Sequence, residues 1–276
     1  MENQDTAREI AWLLKEKYAG VESDLSAEQA EAFQADCTRL AAGEPLGYVI
    51  GQVPFLDCQI WLDSHPLIPR PETEYWVEQA IKEILNTVSD SGLPRFARLP
   101  AQAGNDGAVR ILDLCAGSGA IGVAVAKAVA EAHVTFAEID EAHLPTIEKN
   151  LENNLLEYPN RLGYSSIIIS DLFENVDGKF DFILTNPPYI DANANTIDKN
   201  VKENEPHLAL FGGDKGMEVI GRIIAGARAK LAPHGQLWIE HEPFQIDAIT
   251  KLAKEEGFTI TTHNDQYNVP RYSILE

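Results

Sequence analysis

From Val109 onward the chain alternates short, continuously apolar runs with amphipathic stretches. The order is V-R-I-L-D-L, a helical segment from Ala120, H-V-T-F-A-E, a helix through Leu151, S-S-I-I-I-S, and F-D-F-I-L-T. Strands that are apolar on both faces and separated by helices predict a parallel sheet covered on both sides. A helix over 217–231, the strand Q-L-W-I-E, a helix to Glu256 and two closing strands, F-T-I-T-T and R-Y-S-I-L, complete a three-layer α/β sandwich.

The pattern before Val109 is different. Ile10, Leu13, Leu14 and Val21 recur at near-helical spacing. S-A-E-Q at 26–29 reads as a capping box before Ala30, Phe33, Cys37 and Leu40, with Gly43 as the stop. Between 44 and 69 short β-like pieces, Y-V-I and C-Q-I-W-L, are broken by Gly51, Pro54 and Asp63, which predicts a hairpin. A helix over 75–86 presents Trp76, Val77, Ala80, Ile81, Ile84 and Leu85. Residues 88–108 lack periodicity, collect Gly92, Pro94, Pro100, Gly104 and Gly107, and carry Arg95 and Arg98; they predict an exposed loop. The expected organisation is a helical unit (1–45), a hairpin linker (46–69) and an α/β domain (70–276).

Composition narrows the partners. With 276 residues, 45% of them hydrophobic, the chain can bury one large core and a small second one. A net charge of −21 disfavours a phosphate backbone as partner, so nucleic acid is not expected. Cys37, Cys58 and Cys115 form an odd set without paired spacing, which suggests neither a disulfide framework nor a zinc site. No spacing among the seven histidines proposes a metal either. No apolar run approaches bilayer length, and the opening M-E-N-Q-D-T-A-R-E is acidic where a leader would be basic, so a cytoplasmic protein with no membrane partner is expected.

In open α/β sheets ligands bind beyond the carboxyl ends of the strands. Four such ends carry chemistry here. The turn C-A-G-S-G (Cys115, Ala116, Gly117, Ser118, Gly119) has small residues that let a backbone approach a ligand, but it lacks the first glycine of a dinucleotide loop. F-A-E-I-D offers Glu138 or Asp140 to a vicinal diol, against the plainer reading of solvated acids. I-I-I-S-D-L-F places Asp171 and Leu172 where a flat ring could be contacted, although Asp171 equally suits a turn.

The fourth end is D-F-I-L-T-N-P-P-Y. Two consecutive prolines remove two donors and hold the chain extended. A rigid turn would explain them, but not the company they keep. Asn186, the Pro187 carbonyl and the Tyr189 ring together suit a planar NH₂ group: the Asn186 oxygen and the Pro187 carbonyl take its two hydrogens while Tyr189 packs on its face.

N-P-P-Y after a fourth strand, with D-L-C-A-G-S-G after a first, resembles the class I S-adenosylmethionine-dependent methyltransferases that alkylate planar amino groups. E-P-L-G-Y-V-I-G, L-I-P-R-P-E-T-E, E-P-H-L-A-L-F-G-G-D-K-G-M and L-W-I-E-H resemble, more narrowly, the release-factor glutamine N5-methyltransferases, often called HemK or PrmC. The similarity runs from about Glu44 to the C-terminus, and R-P-E-T-E is its most particular block. It implies a seven-stranded Rossmann-like sandwich and transfer of a methyl group from S-adenosyl-L-methionine, leaving S-adenosyl-L-homocysteine, to a glutamine amide in the Gly-Gly-Gln loop of a peptide chain release factor.

By the same resemblance Cys115–Gly119 line the cofactor's methionine moiety and Leu172 flanks adenine. Asn186, Pro187, Pro188 and Tyr189 hold the glutamine amide, with Asn186, Pro187 and Tyr189 at the reacting centre and Asn186 also beside the cofactor. Family spacing counted back from Asn150 selects Glu138 over Asp140 for the ribose. The chain departs from the family pattern at Cys115 (often glycine), Glu138 (usually aspartate) and Glu242 (often glycine), and its helical amino-terminal part is shorter than typical.

In R-P-E-T-E, Pro71, Glu72 and Glu74 suit a helix start, whereas Arg70 is expected to order a cover over the cofactor. His241 is expected to be structural, and the amide proton to leave to water after methyl transfer. Two rivals stand beside this reading. An N6-adenine methyltransferase shares N-P-P-Y but should show basic flanks, and a binding module without turnover has no need of the acceptor set.

Overall fold

A computed structural model of the chain describes residues 2–18, 20, 22–89, 108–162, 164–191, 193 and 199–276. Helices α1 (Glu2–Lys17) and α2 (Ala27–Ala41) open it, the second starting at the predicted capping box. There Ser26 Oγ accepts from the Gln29 N–H, and the Gln29 side chain accepts from the Ser26 N–H. Leu13, Tyr18, Phe33 and Leu40 close a small core with Val49. Val21, expected to extend the first helix, lies outside the described residues.

One expected element is corrected. Tyr48–Ile50 is not β-like but belongs to a helix, α3 (Leu46–Ile50), which stops at Gly51 with φ 91°. Neighbouring residues there serve two cores, Tyr48 the main one and Val49 the small helical one, and this tertiary demand overrides a β-branched local pattern. The hairpin is formed by β1 (Gln52–Phe55) and β2 (Cys58–Trp61). Helix α4 (Pro71–Ser89) is longer at both ends than predicted, with Pro71 at its first position and Glu72 and Glu74 in its first turn. Arg95 and Arg98 of the predicted loop lie outside the described residues, as does the whole of 90–107.

The chain continues through β3 (Val109–Leu114), α5 (Ala120–Ala128), β4 (Ala132–Glu138), α6 (Leu144–Asn154), α7 (Pro159–Leu162), β5 (Ser165–Ile169) and β6 (Phe180–Thr185). It ends with α8 (Lys199–Asn204), α9 (His207–Leu210), α10 (Met217–Lys230), β7 (Leu231–Glu240), α11 (Ile246–Glu255), β8 (Ile260–Asn264) and β9 (Pro270–Leu275). Seven strands form one sheet in the order β5-β4-β3-β6-β7-β9-β8, parallel except for β9, which is antiparallel to both neighbours. This is the expected seven-stranded sandwich.

Alternate residues of β3 feed opposite faces. Ile111 joins a core with Trp76 of α4, Val123 of α5 and Ile147 of α6, while Leu112 and Leu114 join Ile220 and Ile224 of α10 and Ile249 of α11. Every residue of β6 is buried, as a central parallel strand requires.

Two asparagines one helical turn apart on α6 tie the hairpin to this domain. Asn150 accepts from the Trp61 N–H (2.7 Å) and donates to the Trp61 carbonyl (3.0 Å), and Asn154 does the same with Gln59 (2.9 and 2.7 Å). The outer edge of β2 thus meets side-chain amides where another strand would otherwise pair. Among the described residues no helix is long and apolar enough to cross a membrane.

Candidate active site

The strand order reverses direction at β3 and β6, which are parallel neighbours with Leu114 opposite Thr185. Cys115 and Asn186 therefore leave the sheet side by side, at the position where open α/β sheets bind ligands. The Thr185 hydroxyl donates to the Leu114 carbonyl at 2.7 Å and locks the two strand ends together. Over them lies a cleft of about 920 Å³, mouth included, lined by Cys115, Gly117, Glu138, Asp140, Leu172, Asn186 and Pro188, among others. A smaller pocket of about 370 Å³ adjoins it, lined by Leu67, Arg70, Asn186, Pro187, Tyr189 and Leu210 among others. Asn186 lines both.

Of the five residues in the first turn, Cys115 and Gly117 face the cleft. Ala116, Ser118 and Gly119 are buried behind it and shape the turn: Gly119 donates to the Ala116 carbonyl, and the Ser118 carbonyl accepts from Asn150. Cys115 and Gly117 both have positive φ, 62° and 55°. A Cβ built on Gly117 would meet no atom within 4 Å, so the turn presents bare backbone to an open cradle. Burial pushes the Cys115 thiol above its ordinary pKa, so it sits there as a neutral group.

Asp113 was not singled out by sequence reasoning. It is fully buried behind the turn, where Oδ2 accepts from the Gly122 N–H at 2.8 Å and Oδ1 has no partner among the described residues. Burial raises its pKa to about 8.

Glu138 is buried at the end of β4. One oxygen accepts from the Gly117 N–H (2.7 Å) and the other from the N–H groups of Ile139 and Asp140 (both 2.9 Å). Asp140 also lines the cleft, but one of its oxygens is committed to capping the Ala142 N–H. The carboxylates meet an apolar wall from Ile139, Leu172 and Phe211, and Asp171 pairs with Arg222 at 2.9 Å beside it. Bare backbone, an acid at a strand end and an apolar slot thus line one cleft.

The N-P-P-Y turn is held from below by a network that the sequence did not disclose. The Asn186 amide donates through Nδ2 to Thr73 Oγ1 at 3.1 Å, and the Thr73 hydroxyl donates to Glu240 Oε2 at 2.7 Å. Trp76 Nε1 donates to the same oxygen at 2.7 Å, and the Tyr189 hydroxyl donates to Oε1 at 3.0 Å. Burial raises the Glu240 pKa and those three donors oppose the rise. Burial also places the Tyr189 phenol well above its ordinary value, keeping it protonated as a donor. Neither Asn186 Oδ1 nor the Pro187 carbonyl takes a hydrogen bond from the described residues.

The F-G-G-D-K-G segment packs against the back of this turn. A Cβ on Gly212 would lie 2.3 Å from the Pro188 carbonyl oxygen, and one on Gly216 would lie 1.7 Å from that of Tyr189. Glycine is required at both places by close backbone approach. Gln245 donates to the Tyr189 carbonyl at 2.9 Å and completes the clamp.

Arg70 bonds to Glu205, a buried acid ahead of α9, at 2.5 Å, and Pro206, Leu208 and Ala209 beyond that acid line the cleft. His241 is fully buried, with Nδ1 at 3.1 Å from the Glu242 carbonyl and Nε2 at 2.8 Å from the Ser273 hydroxyl. Among the described residues no group of three or more His, Cys, Asp or Glu side chains is arranged to hold a metal ion.

Residues 97–214 match the family described as Methyltransferase small domain, and residues 4–51 match the family described as PrmC N-terminal domain. A release factor glutamine methyltransferase of Borreliella burgdorferi is 31% identical over 242 residues, covering 87% of this chain and 76% of the relative. One from Rhodopirellula baltica is 33% identical over 245 residues, covering 88% and 76%. Among solved structures, the hMettl16 catalytic domain in complex with the MAT2A 3′UTR hairpin 6 aligns with a TM-score of 0.54 at 14% identity, covering 91% of this chain and 81% of that one, a likeness of fold.

Proposed function

Because the chain belongs to the release factor glutamine methyltransferase family, we propose that it methylates the N5 amide nitrogen of the glutamine in the Gly-Gly-Gln loop of a peptide chain release factor. The observation that carries this reading is the Asn186 amide, whose NH₂ is engaged by Thr73 and whose side chain lines both pockets. Such a corner takes a flat NH₂ donor.

S-adenosyl-L-methionine, when bound, supplies a methyl group on a sulfonium that is electrophilic without any metal. Cys115 and Gly117 would lie against its methionine moiety in a turn shaped by Ala116, Ser118 and Gly119. Glu138 would accept from the ribose hydroxyls and Leu172 would flank the adenine. An amide nitrogen is a poor nucleophile because its lone pair is delocalised into the carbonyl. Asn186 Oδ1 and the Pro187 carbonyl accept its two hydrogens, Tyr189 packs against its face, and Pro188 keeps the turn rigid. The gain is mostly orientation, with support for positive charge developing on nitrogen from fixed carbonyl dipoles. After methyl transfer the proton lost from the amide nitrogen would leave to water at the cleft mouth.

The division of labour follows the chain: the helical unit expected over 1–45, which α3 (Leu46–Ile50) extends, grips the release factor by shape, the hairpin of β1 and β2 links, and residues 70–276 carry the chemistry. Arg70 orders the cover over the cofactor through Glu205. The test is to incubate the protein with methyl-labelled cofactor and a release factor, unaltered or Gln→Ala in the loop, and to locate the label by peptide mass. Label on that glutamine, lost in the variant, is expected; label on nucleic acid instead would promote adenine methylation.

A further inference from the structure

Which way round the Asn186 amide sits decides whether the site receives or repels an NH₂ group, and the buried network beneath it carries enough information to settle this. We propose that Glu240, acting through the Thr73 hydroxyl, is the positioning element that fixes Asn186 with its oxygen toward the substrate, and that this makes the pair the determinant of glutamine over glutamate. The inference rests on the reading of Asn186 as the acceptor for a substrate NH₂.

The argument is one of donors and acceptors. Trp76 Nε1 can only donate, and its partner at 2.7 Å is Glu240 Oε2. Glu240 is fully buried, and Trp76 Nε1, the Thr73 hydroxyl and the Tyr189 hydroxyl can each donate to it, the set that an ionised carboxylate takes. The Thr73 hydroxyl has one hydrogen, and at 2.7 Å from Glu240 Oε2 it is used there. Toward Asn186, 3.1 Å away, Thr73 can therefore only accept. The amide must turn its NH₂ to Thr73 and its oxygen away. Thr73 and Trp76 lie on the first turns of α4 and Glu240 at the end of β7, so the direction of one hydrogen bond in the sheet's interior is transmitted to the cleft surface.

The accounting also separates the variants. In Thr73→Val the acceptor is gone and the amide is free to reverse, presenting NH₂ to the cleft, where it suits a carboxylate. Thr73→Ser keeps the hydroxyl. In Glu240→Gln the Trp76 N–H still demands an oxygen at the Oε2 position, so Thr73 still donates to it, and the new NH₂ falls against the Tyr189 hydroxyl, which rotates to accept. The orientation of Asn186 survives while the charge does not.

The measurement is the ratio of dissociation constants for a release factor and its Gln→Glu loop variant, taken with S-adenosylhomocysteine bound so that nothing turns over, together with kcat and KM on the unaltered factor. The wild-type chain should prefer glutamine by about tenfold or more, the scale of one well-placed buried hydrogen bond. Thr73→Val should reduce that preference to about threefold or less and lower kcat by about tenfold with a smaller change in KM. Thr73→Ser should restore both, and Glu240→Gln should keep the preference within about threefold of wild type. An undiminished preference in Thr73→Val overturns the proposal, as does a collapse of the preference in Glu240→Gln, which would make charge rather than donor direction the cause. A wild-type chain that does not methylate glutamine would overturn the functional reading itself, a separate outcome.

Discussion

Replacing Asn150 by alanine tests how the hairpin is held and, through it, how the cofactor turn is shaped. Asn150 is completely buried and makes three hydrogen bonds to main-chain groups, two to Trp61 (2.7 and 3.0 Å) and one to the Ser118 carbonyl (2.9 Å). At about 1 kcal/mol net for each bond, the loss is about 3 kcal/mol, and more where a carbonyl is left dry. With a urea dependence of about 3 kcal/mol per molar, the midpoint should drop by about 1 M. Asn153 on the exposed side of the same helix, bonded among the described residues to the Lys149 carbonyl of its own helix, serves as the control; Asn153→Ala should cost about 0.5 kcal/mol or less. Hydrogen exchange adds a local reading: the Trp61 amide should exchange about 100-fold faster in Asn150→Ala if it opens with the lost 3 kcal/mol. A loss under about 1 kcal/mol, or an unchanged Trp61 amide, would refute the idea that this side chain substitutes for a neighbouring strand.

Three further outcomes are expected. Asn186→Ala should lower the rate of glutamine methylation by about 100-fold, measured by label transfer to the release factor, since it removes an acceptor at the reacting nitrogen while leaving the cofactor cleft in place. Gly216→Ala should displace the Tyr189 carbonyl, which a new Cβ would approach to 1.7 Å, and destabilise the chain by about 2 kcal/mol or more, readable as a fall in melting temperature with loss of activity. The third concerns acid. Burial lowers the His241 pKa to about 4 from an ordinary 6.5, so the folded state refuses a proton that the unfolded state takes; its stability contribution is complete above pH 6.5 and is lost as pH falls toward 4. The loss amounts to about 3 kcal/mol, and urea midpoints at pH 7 and pH 4 should differ less in His241→Gln than in the wild type; identical differences would remove His241 from the account.

Much of the fold could be read from the chain because central parallel strands are apolar on both faces, and F-D-F-I-L-T is the clearest case: all six residues are buried. α3 could not, since three residues cannot distinguish a period of 3.6 from one of 2, and the reason Tyr48 and Val49 turn apart is that two separate cores claim them. The cleft-lining residues Cys115, Glu138, Leu172 and Asn186 were legible as strand ends. Their supports were not, because Thr73 meets Glu240 across 167 positions and Arg70 meets Glu205 across 135.

What could have pointed to those supports is the density of R-P-E-T-E itself. Successive residues in a helix's first turn point about 100° apart, so a short motif there can reach several segments at once. Arg70 goes to Glu205 beside the cleft, Thr73 to Glu240 and Asn186, and Glu74 to the Leu56 N–H at the hairpin turn (2.7 Å). A helix start explains Pro71 and the acids in general; it does not explain why glutamate rather than aspartate stands at 74 or why a hydroxyl stands at 73. Since the three contacts share no partner, Arg70→Ala, Thr73→Val and Glu74→Gln should act nearly additively on stability, while Thr73→Val alone should alter the choice between glutamine and glutamate. Coupling above about 1 kcal/mol among them would mean that the motif moves as a single hinge rather than as three separate anchors.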